Sequence, residues 1–153
     1  MKLYYSILIT FSLIFVTFAD VVNFSECSDE DSKQCSVNEL RITPCTNTER
    51  CVFKRGESVD VTFDFTPEFQ FESAKNKVFA KINGEWVDWI GGLEEDACGA
   101  VECPVTSNSK STYSKAIKLA KTTQAGKFDV KWKLYNADDT QSCCFELKVQ
   151  VKK

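Results

Sequence analysis

The sequence predicts an all-β domain, an antiparallel sandwich of two sheets, and three observations carry that reading. Residues 128–134, Phe-Asp-Val-Lys-Trp-Lys-Leu, alternate bulky apolar with charged side chains, which puts every apolar group on one face of a strand. Residues 59–66, Val-Asp-Val-Thr-Phe-Asp-Phe-Thr, repeat the pattern, apolar at odd positions and polar at even ones. The rest divides into short segments between turn signals, seven or eight strands in all, with no helical periodicity longer than a turn or two.

Taken in order, 21–27 reads as an edge strand and 28–32, Ser-Asp-Glu-Asp-Ser, as an acidic, solvated segment. Residues 37–42 form the next strand, ended by Thr43-Pro44-Cys45, and Cys45 to Cys51 closes a small polar loop. Lys54-Arg55-Gly56-Glu57 turns the chain into the strand at 59–66, which Pro67 stops. Phe69 and Phe71 fall on one side of 68–72, and Val78, Ala80 and Ile82 share a face of the strand that follows. Asn83-Gly84 is the strongest hairpin signal in the chain. Residues 85–93 carry Trp86, Trp89 and Ile90 without clean alternation and read as a loop. Cys98 to Cys103 closes a second small loop, Tyr113, Ile117 and Leu119 mark a strand, and 122–127 turns into the strand at 128–134. After the turn at 136–139, Phe145, Leu147, Val149 and Val151 alternate in the last strand.

The apolar run at 3–18, with the small residues Thr17 and Ala19 at its end, reads as a signal peptide over 1–19, cut before Asp20. It is short for a membrane anchor, which needs roughly 20 residues. The mature domain, 20–153, is then expected to be secreted, in the extracellular space or a lysosomal lumen. It has 18 basic against 22 acidic residues and no basic block, which argues against a nucleic-acid partner. All eight cysteines lie in this part, and an even count behind a signal peptide reads as disulfides. Zinc is disfavoured because the chain has no histidine and its cysteine pairs lack the two-residue spacing of zinc knuckles. Spacing alone does not assign the pairs. Asn23-Phe24-Ser25 is the one glycosylation sequon, with Asn23 as its acceptor.

Lack of histidine removes the commonest general base and the usual nucleophile triads, and no phosphate loop or nucleophile elbow occurs. Glu94-Glu95-Asp96 and Asp138-Asp139 sit in expected turns, where solvated carboxylates explain them better than glycosidase chemistry or a calcium site. No catalytic residue, metal ligand or cofactor is assigned, and the chain is not expected to be an enzyme. What stands out is apolar surface: nine phenylalanines, three tryptophans and two tyrosines in the mature part. From pattern alone a solid core is the favoured destination. Splayed sheets would instead make a cavity that accepts an apolar ligand and excludes charged ones.

One set of segments is more specific than any of these. Val22-Asn23-Phe24-Ser25-Glu26-Cys27, Thr43-Pro44-Cys45 with Cys51, Lys54-Arg55-Gly56-Glu57, Ala97-Cys98 with Cys103-Pro104-Val105, and Tyr113-Ser114 occur in that order. Val130-Lys131-Trp132-Lys133-Leu134 and Cys144-Phe145-Glu146-Leu147 complete the set. With them the mature chain resembles the ML (lipid-recognition) family, most closely its Niemann-Pick type C2-like secreted branch and more distantly the mite group 2 allergens. The resemblance implies an immunoglobulin-like sandwich of two splayed sheets around an apolar cavity, with pairs Cys27–Cys144, Cys45–Cys51 and Cys98–Cys103. It implies a lining of Val61, Phe63, Phe65, Val78, Ile82, Tyr113, Phe128, Val130, Trp132, Leu134, Phe145 and Leu147. The entrance would lie near Ile90 and Leu119, with Trp86 and Trp89 on the same loop.

Two departures qualify it. Cys35 and Cys143 have no counterpart in the six-cysteine pattern. Adjacent cysteines in a strand face opposite ways, so Cys143 and Cys144 should take different partners, and a fourth bridge, Cys35–Cys143, is expected. Residues 85–95 also lack the prolines of the sterol carriers' entrance loop, which leaves sterol, fatty acid and other small apolar ligands open. The function this implies is a monomeric secreted carrier that holds a small lipid and hands it to a membrane or receptor through transient contact. The alternative is a lipid-triggered recognition module, such as an innate-immune coreceptor, that binds a protein partner.

Overall fold

The computed structural model describes residues 20–89 and 93–153. The expected signal segment therefore lies outside the described residues. Ten strands occur among those residues: β1 (Asp20–Val21), β2 (Ser25–Glu26), β3 (Cys35–Thr43), β4 (Cys51–Lys54), β5 (Ser58–Pro67), β6 (Lys75–Ile82), β7 (Glu85–Asp88), β8 (Ser111–Lys118), β9 (Gly126–Tyr135) and β10 (Ser142–Lys152). They build an immunoglobulin-like sandwich of two sheets. One sheet runs β1-β3-β5-β8, and the other runs β2-β10-β9-β6-β7 with β4 also on β10.

The alternating segments become the centre of each layer. In β5, Val59, Val61, Phe63 and Phe65 all face the interior, and in β9 Phe128, Val130, Trp132 and Leu134 do the same from the opposite sheet. β9 pairs with β10 over its full length, setting Trp132 beside Phe145 and Val130 beside Leu147. Asn83 and Gly84, with φ of 53° and 91°, form the tight turn between β6 and β7, a conformation that glycine adopts without steric cost.

Four features differ from the sequence reading. The N-terminal segment is two short strands in different sheets: β1 pairs with β3 and β2 with β10, so the chain crosses between layers at 22–24. It crosses again between β3 and β4, in the loop closed by Cys45–Cys51, and β4 runs parallel to β10 where only antiparallel pairs were expected. Residues 85–88, read as loop, are the edge strand β7, whose register puts Trp86 opposite Lys81 and Val87 opposite Ala80. The segment 28–32, read as solvated, contains a 3-10 turn at Glu30–Ser32 that lies on the outer face of the second sheet.

Four disulfides form: Cys27–Cys144, Cys35–Cys143, Cys45–Cys51 and Cys98–Cys103. Cys143 and Cys144 project to opposite faces of β10 because side chains alternate along a strand. Cys143 turns inward to Cys35 of β3, tying one sheet to the other, and Cys144 turns outward to Cys27.

Candidate functional site

The sheets do not close over their whole area. At the end where β5 starts and β10 finishes they leave a cavity of about 90 Å³. Ile42, Val59, Val61 and Ile117 line it from the first sheet, and Val78, Val130, Trp132 and Phe145 from the second. Leu147, Val149 and Val151 of β10, with Phe53 of β4, extend that second wall, while Leu119, Trp89 and Leu93 border the gap between β8 and β7. The period of two produces this surface: β5 contributes alternate residues and β10 contributes four in succession at odd positions. Among the described residues, Trp89 and Trp132 are the only members of the lining whose side chains carry a polar atom, and the indole nitrogen of Trp132 is itself buried. Val78, Trp89 and Leu93 are half-buried while the other walls are buried, which places the mouth on the side facing β7.

A tight aromatic cluster blocks the other end. Phe63 stacks on Tyr113 with ring centroids 4.7 Å apart, and meets Phe145 edge-on at 5.0 Å. Trp132 stands between Phe63 and Tyr113 and the void, 5.6 Å from Tyr113, while Phe145 reaches the void itself. Each such pair adds about 0.5–1.5 kcal/mol beyond its buried area, so this end is the rigid one. Burial pushes the Tyr113 hydroxyl pKa well above its ordinary value.

With this geometry in hand the relationships are direct. The ML domain profile matches residues 21–151.

The chain belongs to the ML domain family.

An MD-2-related lipid-recognition protein from Manduca sexta is 31% identical over 132 residues, which cover 85% of this chain and 85% of that protein. NPC intracellular cholesterol transporter 2 from Sus scrofa is 23% identical, over 88% of this chain and 87% of its own length. Among solved structures, a Niemann-Pick type C2 protein from Japanese carpenter ant superposes with a TM-score of 0.75 at 21% identity, covering 85% of this chain and 99% of that one. That last likeness shows the fold.

Within this ML domain the residues expected to line a cavity fall into three groups. Val61, Val78, Val130, Trp132, Phe145 and Leu147 do border the void. Phe63, Phe65, Tyr113 and Leu134 do not: all four are fully buried in the packed core beyond Trp132. Ile82 and Phe128 line a separate outer groove of about 250 Å³, together with Ala80, Val87, Asp88, Ala120 and the polar Thr122, Thr123 and Gln124. Of the residues expected at the entrance, Leu119 and Trp89 line the cavity, and Trp89 is a wall of both the cavity and the groove. Its ring meets Phe128 edge-on at 5.4 Å. Trp86 is elsewhere, on the outer face of β7 with its ring 4.7 Å from Lys131 Nζ and 5.4 Å from Lys81 Nζ. Ile90 lies outside the described residues. Val59, Ile117, Val149 and Val151 also line the cavity although the expected lining does not include them; they continue the alternation of their strands, and that signal could have placed them there. Ile42, Phe53 and Leu93 join the site only through tertiary placement. Asn23 is exposed beyond β1.

The ML domain also carries two buried ionic clusters on its outer faces. Lys131 and Lys133 of β9 point away from the cavity yet are only 6% exposed each. Lys131 Nζ lies 2.9 Å from Asp29 and 3.3 Å from Glu146, and Lys133 Nζ lies 2.7 Å from Asp29 and 2.8 Å from Asp31. The hydrogen bond from Lys133 lowers the Asp29 pKa despite burial. Burial by itself would lower the Lys133 pKa, but bonds to Asp29 and Asp31 raise it. On the first sheet, burial pushes Asp64 up, but Thr112, Lys110 and Arg41 outweigh it and bring its pKa to about 2. Among the described residues, no group of three or more His, Cys, Asp or Glu side chains is placed to hold a metal ion.

Proposed function

We propose that this ML domain is a secreted carrier that holds a small apolar ligand between its sheets without covalent chemistry. The observation that carries the reading is the cavity itself, walled by aliphatic and aromatic side chains with no charged group. Such a wall stabilises a hydrocarbon by roughly 25 cal/mol per Å² removed from water, less the cost of association, and penalises any buried charge. The names of the relatives, a lipid-recognition protein and a cholesterol transporter, support the same class of ligand. At about 90 Å³ the void is smaller than the roughly 300–1,000 Å³ of common small-molecule sites, so a sterol or long acyl chain enters only if the sheets part. The half-buried Trp89 and Leu93 are the walls placed to give way. Four disulfides suit an oxidising extracellular or lumenal compartment.

Native mass spectrometry of the purified protein, followed by extraction and identification of bound lipid, tests this. Co-purified lipid, or uptake of added sterol or fatty acid, supports the carrier. Protein that is always empty and takes up neither removes it.

A second reading, a lipid-triggered module that binds a protein partner, is favoured by Ile82 and Val87, which are 37% and 44% exposed beside the outer groove. A stoichiometric partner captured by wild-type protein and lost with Val87→Asp would favour it.

A further inference from the structure

Lys54 and Lys152 are register neighbours in the parallel pairing of β4 with β10, both exposed, and neither has a carboxylate in ion-pairing reach among the described residues. Like charges side by side on adjacent strands destabilise a sheet. No stretch of the sequence is a basic block, yet the fold gathers one here, at the end of the sandwich that holds the cavity. The Arg55 N–H donates to the Lys152 carbonyl at 3.1 Å. The Gly56 N–H donates to the Leu119 carbonyl at 2.9 Å, which brings in Lys118 and Lys121, and the Lys121 stem lies against the Gly56 turn. Lys127 enters on β9, paired with Gln150 of β10.

The three stretches that meet, 54–60, 118–127 and 150–153, hold seven basic side chains against two carboxylates, Glu57 and Asp60. None of the seven is ion-paired among the described residues, whereas Lys75, Lys77, Lys110, Lys115, Lys131 and Lys133 all are. At the opposite end, loops 66–74, 94–110 and 136–141 hold eight carboxylates against Lys110 alone. A domain with more acidic than basic residues thus concentrates free cations at one pole, whose field draws in anions.

Alternation fixes where these cations point. Phe53, Val151 and Ile117 line the cavity, so their successors Lys54, Lys152 and Lys118 face outward, the first two from one sheet and the third from the other. Arg55 and Lys121 join the two faces across the tip. This makes a belt bent over the end of the sandwich, which a flexible chain can follow and a flat bilayer touches only in part. The exposed large apolar side chains among the described residues, Val21, Ile82 and Val87, belong to β1, β6 and β7, outside the belt. Nothing in the belt is suited to insertion into lipid.

We propose that this end docks a sulfated polysaccharide, a linear polyanion of the cell surface or extracellular matrix. Four disulfides suit the compartment where such chains occur, and not the one where nucleic acid does. Charge and released counterions carry the interaction, which does not depend on what the cavity holds.

The test is binding to heparin immobilised on a sensor surface. Wild type is compared with Lys54→Gln plus Lys152→Gln and with a control, Lys33→Gln plus Lys110→Gln, which changes net charge equally at exposed sites outside the belt. The belt variant removes a repulsion, so weaker binding is not a folding defect. Wild type should bind at about 50 mM salt and lose affinity with a log–log slope of about -4 to -5, roughly 0.7 per cation engaged. At about 150 mM salt the belt variant should bind roughly tenfold more weakly, with a slope shallower by about 1.4, while the control stays within about threefold of wild type. Absence of heparin binding at about 50 mM salt, or equal loss in both variants, overturns the proposal. So does tighter binding to mixed phosphatidylcholine and phosphatidylserine vesicles, or to duplex DNA, than to heparin. None of these outcomes bears on whether the cavity holds a lipid.

Discussion

The Nζ atom of Lys133 lies 2.7 Å from Oδ2 of Asp29, under a strap of chain that covers the outer face of the second sheet. The strap runs from Cys27 to Cys35, and its ends are bonded to the adjacent Cys144 and Cys143. It converts what would be a solvated face of β9 into a second, ionic interior. Removing both carboxylates, Asp29→Asn with Asp31→Asn, leaves Lys133 buried without an anion and should cost about 3–5 kcal/mol in urea unfolding. Either change alone should cost clearly less, because the other carboxylate remains in reach.

Acid sensitivity should trace to Asp64. Its pKa falls from 3.8 to about 2 on folding, so its contribution is complete above pH 3.8 and disappears as pH drops through 2. Asp64→Asn should therefore be less stable than wild type by on the order of 2 kcal/mol at pH 7, with the gap closing near pH 2. Urea titrations at pH 7, 4 and 2.5 check this, and a gap that does not shrink with acid would contradict it.

The two bridges flanking the strap should be strongly non-additive. While Cys27–Cys144 stands, Cys35–Cys143 closes only a short ring, so replacing Cys35 and Cys143 by serine should cost about 2–3 kcal/mol. The same holds for replacing Cys27 and Cys144. Once one bridge is gone, the survivor spans more than 100 residues, and losing it should cost about 4–5 kcal/mol more. Denaturant midpoints of the two double variants and the quadruple variant measure the difference.

Filling the void should abolish binding and spare the fold. Val61 is buried on β5 and faces the cavity. Val61→Phe should lower affinity for a fluorescent apolar probe at least several-fold while stability stays within about 1.5 kcal/mol of wild type, because the ring occupies existing space.

Trp89 separates the cavity from the outer groove. Trp89→Ala should join the two and speed dissociation of bound probe, measured by stopped-flow fluorescence. Unchanged dissociation would assign the mouth to another wall.

How much of this was legible depends on which residues set the local pattern. β5, β9 and β10 were readable because one face is uniformly apolar and the other polar. β7 was not: Trp86 points out and Trp89 points in, and the outward tryptophan is sheltered by Lys131 and Lys81 where a solvated strand would carry a polar group. Lys131 and Lys133 read as solvent-facing because their burial depends on Asp29 and Asp31, about a hundred residues away. The parallel pairing of β4 with β10 joins segments equally remote. Alternation likewise marks Val130 and Leu134 as inward without telling that one borders a void and the other is packed solid, since that depends on the spacing of the sheets.

The tie between Cys35 and Cys143 has a mechanical meaning. It joins β3 to β10 with Cα atoms 5.1 Å apart, on the side of the sandwich that carries β1, β2 and β4 and across from Trp89 and Leu119. The two sheets are thus bound like the covers of a book along one spine. Widening is then resisted most beside that tie and least near Trp89 and Leu119, where hydrogen bonds from Asn76 to the Glu95 carbonyl and from Ser114 to the Ala100 carbonyl are what link the layers. What such a protein can admit is then governed by taper: a molecule slender at its leading end and broader behind fits the wedge, and one that is bulky throughout does not.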